Sequence, residues 1–261
     1  MVSSERKTFH SGDSHSPYLA HHFSSLKQQY ESSKLGMWLF LITEIMLFGG
    51  LFCAYAVYRA NHPEIFYYGH KFLDVPLGAL NTMILIFSSL TMALAVRYAQ
   101  LGVRKLLILF LSITIFCGLV FLGVKYVEYE HKWKHGLMWG KYYKPQVEQL
   151  EVKGKAESVL KVSSSEESSL ASTVSDTPKT GKASSEPKNV QTFFAIYFAM
   201  TGLHALHVLA GIFVLVVVLI LAVKHGFGPE NFTAVDLSGL YWHLVDLIWI
   251  YLFPLFYLIG A

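Results

Sequence analysis

The sequence predicts an all-α integral membrane protein: five transmembrane helices in a bundle, with a long disordered loop between the third and fourth. Three observations carry that assignment. Of the 261 residues, 53% are hydrophobic and only 15% charged, and the mean hydropathy is +0.42, values that describe a membrane protein and not a water-soluble domain. Five stretches are long enough to cross a bilayer core about 30 Å thick at about 1.5 Å of helix per residue. In lipid each span must satisfy its own backbone hydrogen bonds, which makes the spans helical.

Residues 1–34 form a polar N-terminal tail whose first part, MVSSERKTFHSGDSHSP, has the composition of a disordered segment. Tyr18 to Tyr30 suit a short helix lying on the membrane surface. The five-helix domain occupies 35–261, with spans at about 35–58, 76–98, 106–127, 192–223 and 237–259. The first span, LGMWLFLITEIMLFGGLFCAYAVY, holds one ionisable side chain, Glu44, near mid-depth. A charge there costs at least ~2.5–3.5 kcal/mol, so Glu44 is expected to be protonated or to face a partner, a cavity or a lipid headgroup. The same span carries Gly50-x-x-x-Ala54, a small-residue pair that lets another helix approach. A short aromatic loop, IFYYGHKF, leads to the second span, which opens on Pro76, a residue tolerated in a first turn. Asn81, Thr82, Ser88, Ser89 and Thr91 on that span read as helix-packing polar groups, bonding between helices or to their own backbone. A tight basic loop, AQLGVRK, follows, and the third span exits into Glu128-Tyr129-Glu130-His131.

From 141 to 188 the composition changes to a Ser, Lys, Glu and Pro mixture, a low-complexity insertion that cannot bury enough apolar surface to fold. The fourth span carries Thr201-Gly-Leu-His204-Ala-Leu-His207-Val-Leu-Ala-Gly211, and the fifth carries Tyr241-Trp-His243-Leu-Val-Asp246-Leu-Ile-Trp249, with Pro254 set to kink its far end. Trp242, Trp249 and the tyrosines are most simply interfacial anchors. The odd number of spans, with no internal repeat, argues against an inverted-repeat transporter. Short segments place 8 Lys/Arg on the side of the N terminus against 2 in the first loop. That bias favours a cytoplasmic N terminus, with the C terminus and the 128–190 loop periplasmic, since long loops translocate largely regardless of charge.

The net charge of +3 is too small to point to nucleic acid, and Cys53 and Cys117, both within apolar spans, offer no disulfide framework or metal motif. His204 and His207, one turn apart, can grip a single metal ion only if a third ligand arrives from elsewhere, Glu44 or His243 being the candidates. They cannot be the two axial ligands of one haem, which approach iron from opposite faces. The simpler assignment is that both imidazoles hydrogen-bond across helices or to lipid phosphate. His243 and Asp246, three residues apart, either relay protons or pin the helix end to its neighbours. No phosphate-binding glycine loop, nucleophile elbow or redox cysteine pair is present.

Five stretches, in order, resemble one family: Gly36-Met37-x6-Glu44 with Phe48; Leu73-Asp-Val-Pro76-Leu-x2-Leu80-Asn-Thr82; Glu128-Tyr129; Thr201-Gly-Leu-His204-Ala-Leu-His207-Val; and Tyr241-Trp-His-Leu-Val-Asp246-Leu-Ile-Trp249. The chain resembles subunit III of the haem–copper oxidases, specifically cytochrome c oxidase subunit III in its five-helix bacterial form. The seven-helix form has two further helices at the start. The insertion between the third and fourth spans departs from the family, which usually has a short connection there.

The resemblance implies a non-catalytic core subunit in the bacterial plasma (inner) membrane, with no catalytic, cofactor-binding or metal-binding residue of its own. Haem and copper are expected in partner subunits. Subunit I is the main implied partner, with subunit II and subunit IV beside it and cytochrome c as donor to an oxygen-reducing, proton-translocating complex. The family binds phospholipid in a helix cleft and helps sustain proton uptake and catalytic lifetime. Glu44, Glu128, His204 and His207 match its polar positions and carry the implied lipid or proton role. A quinol oxidase subunit III shares the five-helix form, although Glu44 and Leu-Asp-Val-Pro lean toward the cytochrome c branch. More distant alternatives are an independent b-type cytochrome or metal-dependent membrane enzyme using the histidines, and a proton-coupled transporter built on Glu44.

Overall fold

The computed structural model describes residues 19–70, 72–134, 189–224 and 226–258. These residues form six helices: α1 (Leu26–Asn61), α2 (Pro63–His70), α3 (Val75–Gln100), α4 (Arg104–Lys134), α5 (Val190–Lys224) and α6 (Thr233–Tyr257). All but α2 are long and apolar enough to cross a membrane, so the fold is the all-α bundle of five spans that the hydropathy predicts. The low-complexity insertion over 141–188 lies outside the described residues, as does the start of the polar tail. Successive spans alternate in direction. One end of the bundle therefore gathers the starts of α1, α4 and α6, and the other gathers their ends with α2 (hereafter the α2 end).

Three boundaries differ from expectation, each for a local reason. The helix placed on the membrane surface before Tyr30 is instead the first two turns of α1, over 26–34. Ser25 caps it by accepting from the Gln28 N–H at 3.2 Å, and the Tyr30 hydroxyl fastens it to Asp236 at the start of α6, at 2.8 Å. The aromatic loop is helix α2, with Ile65, Phe66 and Gly69 buried against α5. A Cβ at Gly69 would run into the Phe193 ring, so only glycine lets the two helices meet there. The third span does not exit at Glu128 but continues to Lys134, because Lys125, Glu128 and Lys132 share an inward face.

The basic loop between α3 and α4 is as short as predicted and has a definite chemistry. Gly102 adopts φ 71°, the left-handed conformation that glycine enters without steric cost. Its N–H reaches the Ala99 carbonyl and that of Val103 reaches Tyr98, a Schellman closure of α3. Arg104 then caps a different helix, donating to the Ala222 and Val223 carbonyls that end α5.

Trp242 and Trp249 are core residues rather than interfacial anchors. Both are buried, and each indole N–H is matched inside the bundle, to Ser88 Oγ and Thr82 Oγ1, both at 3.1 Å. Trp242 wedges into notches at Gly118 and Gly211, where an added Cβ would lie 2.8 and 3.0 Å from its ring. Gly50-x-x-x-Ala54, in contrast, meets no helix among the described residues: both residues are exposed and nothing lies within 4 Å of a Cβ at Gly50. Helix α1 buries only Leu41, Phe48 and Tyr55, a single line along one face.

Candidate functional site

Glu44 falls on that same α1 line, one turn after Leu41, so it faces the bundle. Its Oε2 lies 2.8 Å from His207 Nε2 on α5, with both side chains largely but not wholly covered. The other ring nitrogen, His207 Nδ1, faces the Leu203 carbonyl oxygen at 2.8 Å. A carbonyl only accepts, so Nδ1 carries a hydrogen and a second proton sits between Nε2 and the carboxylate. Both nitrogens are committed. Phe48 meets the ring edge-on and the Tyr241 hydroxyl donates to the His207 carbonyl, which holds the pair in place.

His204 points elsewhere. Its ring is fully buried between Phe121 and Trp249, at centroid distances of 5.6 and 5.2 Å, and neither nitrogen meets a hydrogen-bond partner among the described residues. The two histidines therefore do not converge. His243 Nδ1 lies 2.7 Å from Ser89 Oγ on α3. Asp246 contacts Ser88 at 3.5 Å through Oδ2, while its Oδ1 has no partner among the described residues. His243 and Asp246 thus tie α6 to two adjacent serines of α3 instead of pairing with each other. Among the described residues no three His, Cys, Asp or Glu side chains gather in a way that can hold a metal ion.

Glu128 is the centre of a buried ion cluster at the α2 end. Its Oε2 accepts from Lys125 at 2.7 Å, and its Oε1 from Lys132 at 2.6 Å, Tyr197 at 2.8 Å and Tyr257 at 2.6 Å. Lys125 also lies over the Trp249 ring, 4.4 Å from its centroid, and Lys132 over Tyr197 at 4.0 Å. Two cations and one carboxylate thereby join α4, α5 and α6. Of this cluster, sequence reasoning singled out only Glu128. The signal for its partners was present as charges at i−3 and i+4 from Glu128, a spacing that places all three on one helical face.

Asn81 and Thr82 part company despite adjoining. Thr82 accepts the Trp249 N–H and bonds back to Gly78, while both amide atoms of Asn81 are buried without a partner among the described residues. Ser88, Ser89 and Thr91 bond as expected, to the backbone or across to α4 and α6.

The cytochrome c oxidase subunit III family model matches residues 9–134 and 188–261, which takes in every described helix. The chain belongs to the cytochrome c oxidase subunit III family. The match breaks over 135–187, almost the whole of the Ser/Lys/Glu-rich insertion. The probable quinol oxidase subunit 3 of Staphylococcus aureus (strain USA300) is 25% identical over 230 residues, covering 88% of this chain and 90% of its own. That of Staphylococcus saprophyticus is 24% identical over 228 residues, covering 87% and 89%. The chain is a multi-pass membrane protein of the haem–copper oxidase subunit III type.

Proposed function

We propose that this chain is the non-catalytic subunit III of a proton-pumping terminal oxidase in a bacterial inner membrane, with its N terminus cytoplasmic. It packs against subunit I, beside subunits II and IV, while haem and copper reside in those partners. The observation that carries this is the family match across all five spans. Support comes from α1, where only 11% of the apolar window is buried within the chain against 50% in α6, leaving a long face for a partner subunit and lipid. Glu44 and His207 stand on the side of the bundle where α1 leaves the core partly open, and they suit contact with a phospholipid headgroup. Glu128, saturated by four donors, contributes to holding that scaffold.

Cytochrome c is the donor proposed for the complex. A quinol oxidase is the second reading, favoured by the names of the staphylococcal relatives. Purification in mild detergent tests both levels. The chain should come away in stoichiometric amount with a haem- and copper-bearing subunit, and the separated polypeptide should hold neither metal. Stoichiometric iron or copper on the separated chain refutes the assignment. Oxygen consumption by the complex with reduced cytochrome c, against consumption with a quinol, decides the donor.

A further inference from the structure

Three buried side chains carry polar atoms without hydrogen-bond partners among the described residues: Asn81 through both amide atoms, His204 through both ring nitrogens and Asp246 through Oδ1. Such orphans are rare in native interiors, and each calls for something to meet it. Trp249 connects them, since its N–H bonds Thr82, next to Asn81, and its ring packs on His204, while Asp246 lies one turn earlier on α6. The same indole carries Lys125, which leads to Tyr257 and Glu128 and from there to Lys132 beyond the apolar part of α4. Asp74, at the start of α3, acts electrostatically on Lys132.

We propose that internal water molecules occupy the positions beside Asn81, His204 and Asp246, around Trp249. Water suits these positions because Asn81 and His204 each present a donor and an acceptor, which a neutral molecule that both donates and accepts can match. A bound cation would lie close to the Lys125 ammonium, and Lys125 already has its anion in Glu128.

X-ray radiolytic footprinting of the intact, detergent-purified oxidase tests this. Irradiation turns internal water into hydroxyl radicals that oxidise the side chains around it. Phe121, edge-on to both His204 and Trp249, is the reporter; Phe66 and Phe193, equally buried but edge-on to each other, are same-residue controls. Phe121 should oxidise several-fold faster than the controls. The double substitution Asn81→Leu with His204→Phe should bring it down to their level while exposed Tyr126 stays unchanged. Labelling of Phe121 no faster than the controls, or unaltered in the double variant, overturns the proposal. Should the variant fail to assemble, the wild-type comparison decides alone.

Discussion

Replacing Glu128 with Gln keeps the side chain's size and removes its charge, and the hydrogen bonds around it set the cost. One carboxylate oxygen takes three donors and the other takes one, and two of the four donors are ammonium groups with almost no exposure. An amide offers one accepting oxygen; with that oxygen set toward the three donors, its NH2 faces the Lys125 ammonium, which has no lone pair to accept it. Removing one partner of a buried ion pair costs about 3–5 kcal/mol, mostly through the charge left behind. Here one deletion strands two charges, so we expect Glu128→Gln to cost ~5 kcal/mol, comparable with the whole stability of many domains. The expected result is loss of this chain from the complex on mild heating in detergent, read by the subunit content of the surviving oxidase. The apolar triple substitution Lys125→Met, Glu128→Leu and Lys132→Met should recover most of the loss, because well-packed hydrophobic groups commonly replace buried ions at no net cost. A Glu128→Gln complex as heat-stable as the parent, or a triple variant no better than the single one, refutes the reasoning.

Further outcomes follow from other positions. Glu44→Gln should leave oxygen consumption and proton release near wild type, because the amide keeps the contact to His207; Glu44→Ala should shorten the active lifetime, and equal severe loss in both would make Glu44 an obligatory proton carrier instead. Gly118→Ala should destabilise by about 1–3 kcal/mol, since its Cβ meets Trp242 at 2.8 Å, whereas Gly123→Ala, on the same helix in open space, should be neutral or stabilising by up to about 1 kcal/mol in a thermal assay. Deleting 145–186 and splicing in a short Gly/Ser linker should leave the complex intact, as loop length alters closure entropy by only about 0.6 kcal/mol per doubling; loss of the subunit would show that the insertion docks to a partner.

The number, order and type of the spans were legible because lipid imposes length and apolarity on each helix separately. The ends were less so. No apolar run marks residues 26–34, and their helix rests on a Ser25 cap and on Tyr30 reaching Asp236, two hundred residues away in sequence. Helix α2 is too short to stand alone and exists because Gly69 lets it lie against Phe193. The tryptophans misled for a related reason. An indole suits an interface when one side is wet, but Ser88 and Thr82 satisfy the N–H within the bundle, a pairing visible only once α3 and α6 are side by side. Glu44 was recognisable at once, as the one charge in its span. Its partner was not, because His204 and His207 look equivalent until the rotation of α5 sends one toward α1 and the other toward Trp249.

The two carboxylates at the heart of the proposal differ in how completely the chain uses them. Glu128 accepts four hydrogen bonds, and both neighbouring cations lie within 2.7 Å. No ligand reaches it without displacing a lysine, and displacement would recreate the stranded charges that make its removal costly. Among the described residues Glu44 bonds only His207, and it retains some exposure on a helix that the described chain covers along one line. A group that must respond to lipid, to a neighbouring subunit or to a passing proton needs an unspent hydrogen-bonding position and a path to it. By that criterion the proposed lipid or proton role belongs to the Glu44–His207 pair, and the Glu128 cluster serves it by keeping α4, α5 and α6 in register behind it.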